Sequence, residues 1–147
     1  MTVFYADTSA LVRVYFVDEP DQDELRQLLM EGDLPVVTSE LTRVEVASAV
    51  MAAARAGRLR GPQAVLDRFD GDCGEDGPVT MLRLEIETVL PAARDLVLRH
   101  QLRTLDAVHL AVVLTAVSDL AGSEGVCLVT RDERQAVVAV QLGIDVR

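Results

Sequence analysis

Short Val-rich segments alternating with helical patterns predict an α/β fold, a three-layer α/β/α sandwich around a mostly parallel central sheet. Two observations carry this prediction. The stretches 2–6 (TVFYA), 35–38 (PVVT), 79–84 (VTMLRL) and 126–130 (VCLVT) are short, apolar and bounded by Gly, Pro or Asp, as buried strands are. Each is followed by residues with helical spacing, so the chain reads as a run of βα units, which pair in parallel.

After the first strand, helices are expected over 8–16 and about 20–31. The second strand leads into a helix over 39–56, with Ser39 as its N-cap and Gly57 as its stop. A further helix begins in 61–69 (GPQAVLDRF), where Pro62 suits a first turn. The stretch 71–78 (GDCGEDGP) is a loop. Beyond the third strand come helices over 87–100 and 104–120, the latter opened by Thr104. The fourth strand leads into 131–142, where Thr130 and Glu133 have capping-box spacing. Residues 144–146 (IDV) read as a last short strand. Without a composition shift or an internal repeat, residues 1–147 are expected to form a single domain.

Composition narrows the function. Half of the residues are apolar, enough for a packed core at this length. The run 107–117 (AVHLAVVLTAV) is too short to span a bilayer and reads as a buried helix, so no membrane role is expected. No basic and apolar leader precedes Thr2. The two cysteines, Cys73 and Cys127, are far apart and outside any CxxC spacing, which argues for a reducing cytoplasm rather than a disulfide or zinc framework. Formal net charge is −10, yet all 14 basic residues are Arg. Without Lys, a P-loop NTPase and Schiff-base chemistry are excluded.

The acids carry the remaining signal. In an open parallel sheet, ligands gather outside the carboxyl ends of the strands. Asp7 follows one strand and Asp132 follows another, one residue after Thr130-Arg131. Taken singly, each is better explained as an acid at a helix N-terminus. Glu45 sits mid-helix with Leu41, Thr42, Ser48 and Ala49 at its helical neighbour positions, so no Arg can pair with it locally. Asp106 heads one of the most apolar helices, and spacing alone does not bring it near Asp7. His109 reads as a hydrogen-bonded packing histidine and is left outside the site.

YADTSALV, RVEVASAV, LRTLDAVHLAV and LVTRDERQAVVAVQLGIDV occur in the order and spacing of a PIN-domain protein. They resemble the VapC type, the toxin of bacterial toxin–antitoxin pairs, from the first strand to the last. The resemblance implies a Mg²⁺- or Mn²⁺-dependent endoribonuclease built on an acidic quartet of Asp7, Glu45, Asp106 and Asp132. Asp7 and Asp106 would hold the primary metal. Glu45 would complete its shell or orient the attacking water, and Asp132 would hold a water or a second ion. Thr8, Ser9 and Thr130 fall where such proteins place hydroxyls that support the acids. The resemblance further implies an RNA substrate, homodimers, and inhibition by a cognate VapB-like antitoxin, whose peptide would dock between helices 8–31 and 39–56. Arg55, Arg58 and Arg60, with Arg13, Arg43, Arg103 and Arg131, are the candidate RNA contacts. The alternative is a catalytically silent PIN-fold module that only engages an antitoxin-like partner. A haloacid-dehalogenase-like phosphatase would need a second Asp where Ser9 stands, and a Lys.

Overall fold

In the computed structural model, residues 1–147 are all described. Five strands form one sheet in the order β3-β2-β1-β4-β5. They are β1 (Val3–Ala6), β2 (Val36–Ser39), β3 (Val79–Leu82), β4 (Val126–Val129) and β5 (Asp145–Val146). Every pairing is parallel, with Phe4 opposite both Val36 and Cys127. The α/β/α expectation is thus met.

Alternation along β1 explains the layers. Phe4 and Ala6 point to one face and Val3 and Tyr5 to the other, because successive side chains of a strand leave on opposite sides. The first face is covered by α1 (Thr8–Leu11) and the 3₁₀ turn that continues it, then by α2 (Gln22–Leu29), α3 (Leu41–Arg55) and α4 (Pro62–Asp72). Leu11, Leu25, Val46, Val50 and Phe69 pack there. The second face is covered by α5 (Ile86–Arg99), α6 (Thr104–Val112) and α8 (Glu133–Gln141), with α7 (Ser118–Ala121) prolonging the path of α6. Val89, Leu96, Leu110, Leu128 and Val138 fill that core.

Helix ends follow local chemistry. The amide of Arg58 bonds to Ala53 O and that of Gly57 to Ala54 O, the paired bonds of a Schellman ending. Gly57 has φ +75°, a value β-carbon-bearing residues avoid. The expected stop at Gly57 is therefore correct. Ser39 instead ends β2, and its Oγ accepts from the Leu41 amide as α3 begins. The capping box at Thr130 and Glu133 is not formed. Asp132 caps α8 by accepting from the Gln135 amide at 3.0 Å, because the strand carries Thr130 inward instead.

The helical path from Thr104 to Glu124 is longer than the apolar run suggested, and by length and composition it could cross a membrane. Ala107 through Val113 and Val117 are packed against the sheet. A π-helical turn occupies Val113–Val117. There the Thr115 and Ser118 hydroxyls bond back to Ala111 O and Val113 O, in competition with the regular ladder.

Candidate active site

β1 is the switch point of the sheet. The chain leaves it toward β2 on one side, while β4 lies on the other, so a crevice opens where the two exits diverge. Asp7 lies at this point as the N-cap of α1, accepting from the Ser9 amide at 3.2 Å. It is at once a helix cap and a cleft residue. The same Oδ2 accepts from Ser9 Oγ at 2.6 Å and lies 3.2 Å from Thr130 Oγ1. Ser9 Oγ in turn accepts from the Arg131 amide, which locks the end of β1 to the end of β4.

Glu45 reaches the crevice from α3. Its Oε1 accepts from Thr8 Oγ1 at 2.9 Å and meets His109 Nε2 at 2.5 Å. His109 is 1 % exposed, shares a 2.7 Å hydrogen bond with the Tyr5 hydroxyl through Nδ1, and faces Asp7 Oδ1 at 3.5 Å. It is the satisfied packing histidine expected, but its partners are residues of the crevice. Glu45 therefore has a cationic partner that no helical neighbour could supply.

Burial pulls the His109 pKa down, yet the hydrogen bond to Glu45 and the charges of Asp7, Glu45 and Asp106 outweigh it and leave it raised. Burial pushes the Glu45 carboxyl up, and its bonds to His109 and Thr8 reverse the direction to a net lowering. Both directions favour the carboxylate of Glu45 beside the imidazolium of His109. Burial also places the Tyr5 hydroxyl well above its ordinary range, reinforced by Asp7 and Glu45.

Asp106 and Asp132 are joined by one side chain. Arg103 Nε donates to Asp106 Oδ2 at 3.0 Å and its Nη2 to Asp132 Oδ2 at 2.6 Å. Burial pushes the Asp106 carboxyl up; Arg103 opposes this, and the nearby charges of Asp132 and Asp7 add to it. The fully buried Gln135 ties the elements together, accepting from Thr130 Oγ1 at 2.8 Å and lying 3.4 Å from the Asp106 carbonyl through Nε2.

Asp7, Glu45, Asp106 and Asp132 all line one cleft of about 490 Å³, together with Thr8, Ser9 and Arg103. Val44 and Leu105 form part of its wall. No three His, Cys, Asp or Glu side chains close on a point as a finished metal cage. The donor set is nevertheless all oxygen and anionic, the chemistry that suits Mg²⁺ or Mn²⁺. Its mutual repulsion, visible in the raised Asp106, is what a cation relieves, and the Arg103 guanidinium now spans two of the acids.

Of the other arginines named from the sequence near the acids, Arg13 and Arg131 both pair with Asp21, and Arg43 faces Asp70 at 3.6 Å. None of the three lines the acidic cleft. Sequence reasoning did not find Gln135 or the Tyr5–His109–Glu45 chain, since no spacing rule links residues 5, 45 and 109.

Such a cleft at the switch point of an all-parallel sheet defines a class of protein. Residues 4–141 match the PIN domain family, and the chain belongs to it. Ribonuclease VapC46 of Mycobacterium tuberculosis is 34% identical over 146 residues, covering 99% of this chain and 97% of its own. Ribonuclease VapC35 of the same organism is 33% identical over 145 residues, covering 98% and 95%. Among solved structures, M. tuberculosis VapC20, described as a sarcin–ricin loop cleaving toxin, aligns with TM-score 0.64 at 16% identity over 92% of this chain and 94% of its own. PAE2754 from Pyrobaculum aerophilum aligns with TM-score 0.55 at 20% identity over 97% and 90%. A chain of a toxin–antitoxin complex from Klebsiella pneumoniae aligns with TM-score 0.54 at 17% identity over 92% and 89%. These structural likenesses bear on the fold.

Proposed function

We propose that this protein is a metal-dependent endoribonuclease of the VapC type, acting as the toxin of a toxin–antitoxin pair in the cytoplasm. The observation that carries the reading is that four acids from four separate segments line one cleft. Two relatives named as VapC ribonucleases, aligned over nearly the whole chain, support it.

Asp7 and Asp106 would hold the divalent ion, Mg²⁺ or Mn²⁺. When bound, a hard divalent cation supplies Lewis-acid chemistry, activating water toward a phosphodiester and neutralising charge that grows on phosphate oxygens. The protein's own groups do the rest. Ser9 and Thr130 hydroxyls converge on Asp7 Oδ2 and fix that carboxylate's rotamer. Glu45, held ionised by His109 and Thr8, orients the attacking water and accepts its proton on a carboxylate oxygen. Asp132, whose Oδ1 is committed to capping α8, has Oδ2 left for the cleft. Arg103 shares Asp106 Oδ2 and Asp132 Oδ2, where it would compete with a cation, and its guanidinium would suit a substrate phosphate at the edge of the cleft.

An antitoxin of VapB type would dock along the cleft between α1 and α3, whose wall carries the exposed Val44. Pairing of two copies belongs to the same reading, with Ile86, Leu90 and Leu98 of α5 giving exposed apolar surface.

The test is cleavage of end-labelled RNA by the purified chain with and without Mn²⁺. Cleavage is expected to require the ion and to fall at least 100-fold in Asp7→Asn and in Asp106→Asn, the scale on which loss of an essential electrostatic group acts. Absence of cleavage by the wild type under every divalent ion would leave the silent binding module. Undiminished cleavage in both variants would remove the acids from the chemistry.

A further inference from the structure

A second cleft, of about 880 Å³, lies between the α5–α6 connection and the outer face of α8. Arg99, His100, Arg103 and Arg134 line it, and Glu133 is its single acid. In a chain of net charge −10 this gathering of guanidinium groups stands against the overall field. Arg103 lines both this cleft and the acidic one, so the two adjoin at a single side chain. Arg134 makes no ion pair, and Arg99 pairs only with Asp95 on its own helix, at an exposed position. A partly exposed intrahelical pair of that kind is weak and yields readily to a phosphate. In the other arginine-rich stretch, 55–60, Arg58 is committed to Asp18 and Glu19, and Arg55 and Arg60 line neither cleft.

We propose that this basic cleft carries the phosphate backbone of a single-stranded RNA into the acidic cleft. Arg134 and Arg99 grip phosphates along the basic cleft, and Arg103 sits at the junction. The proposal rests on the ribonuclease reading and deepens it. No Phe, Tyr or Trp lines the cleft, so it lacks an extended stacking platform and contact is chiefly to the backbone, which makes the grip largely independent of sequence. The guanidinium fork matches phosphate geometry in a way an ammonium does not. This local patch resolves how an acidic protein holds a polyanion: binding is confined to one track that ends at the carboxylates.

The experiment measures anisotropy of a short labelled single-stranded RNA with the full chain carrying Asp7→Asn, which suppresses cutting. Arg134→Glu and Arg99→Glu, both at exposed positions, are expected to weaken binding about tenfold each at low salt, and each lost phosphate contact lowers the slope of log affinity against log salt by about 0.7. Arg26→Glu, at an exposed position of α2 that lines neither cleft, leaves affinity unchanged. In the otherwise wild-type chain Arg134→Glu raises KM for RNA and leaves kcat in place. Equal affinity and equal slope in Arg134→Glu and Arg99→Glu would overturn the track while leaving the nuclease reading intact if wild-type cleavage persists. Unchanged RNA affinity with weakened binding of a polyglutamate peptide would make the cleft an acidic-peptide site and likewise overturn it. Failure of the wild type to cut any RNA falls on the nuclease reading itself.

Discussion

At the scale of single residues, the buried His109 decides how the crevice is charged. Its ring stands between Glu45 and Tyr5, with Asp7 3.5 Å away, and it keeps Glu45 ionised in a place where burial alone would neutralise a carboxyl. Replacing it by an apolar side chain strands both partners, so His109→Leu is expected to cost about 2–3 kcal/mol by urea unfolding of the metal-free protein. The sign of the pH dependence follows from the two directions. His109 is raised above its ordinary 6.5, so its contribution is fully present below about 6.5 and is lost as pH rises through the folded value. Glu45 is lowered below 4.5, so its contribution is present above that value and is lost as pH falls through the folded value. The stability gap between wild type and His109→Leu is therefore widest between about 4.5 and 6.5 and narrows as pH rises through the folded value of His109. A gap that is constant across that range would mean that the ring contributes packing alone. This network was illegible in the sequence because Tyr5, Glu45 and His109 meet only through the sheet and the helices packed on both its faces. The sequence alone marks His109 as a buried polar residue in need of a partner, and that much was read.

Among the elements, α8 shows how one residue can cap a helix and line the cleft together. Asp132 caps the helix with Oδ1 and presents Oδ2 to Arg103 and the cleft. These duties separate by substitution. Asp132→Asn keeps the cap and is expected to unfold with wild-type stability, whereas Asp132→Ala loses about 1 kcal/mol. Both remove the charge, so both are expected to lower RNA cleavage; equal stability of the two variants would show that the cap contributes nothing. The strands were legible because both their faces are buried, Phe4 and Ala6 in one core and Val3 and Tyr5 in the other, so each reads as a short apolar run between turn residues. Helix starts were less so. Ser39 and Thr130 both look like caps, but each side chain is carried into the interior at the end of its strand, 0 % and 5 % exposed, and the adjoining Glu40 and Asp132 begin the helices. The π-helical turn at Val113–Val117 left no pattern to read, since the hydroxyls of Thr115 and Ser118 act on carbonyls that hydropathy does not register.

Over the whole molecule, the parallel sheet converts sequence distance into proximity. β1 and β4 are adjacent although 123 residues separate Asp7 from Thr130, and their shared exit holds Asp7 and Asp132. Those two acids could be located from strand ends. Asp106 could not, because its position depends on how α5 and α6 cross between β3 and β4, and on Gln135 meeting the Asp106 carbonyl. Under the proposed function, the lined cleft is a divalent-cation site in which Asp7 and Asp106 would be ligands. Mn²⁺ bound there stabilises the folded chain by mass action, about 2.7 kcal/mol at a hundred times its Kd. The most direct test is a Mn²⁺ titration followed by electron paramagnetic resonance on wild type, Asp7→Asn and Asp106→Asn. The account predicts saturable binding in the wild type, weakened at least tenfold in each variant. Saturation at the same concentration in all three proteins would contradict it.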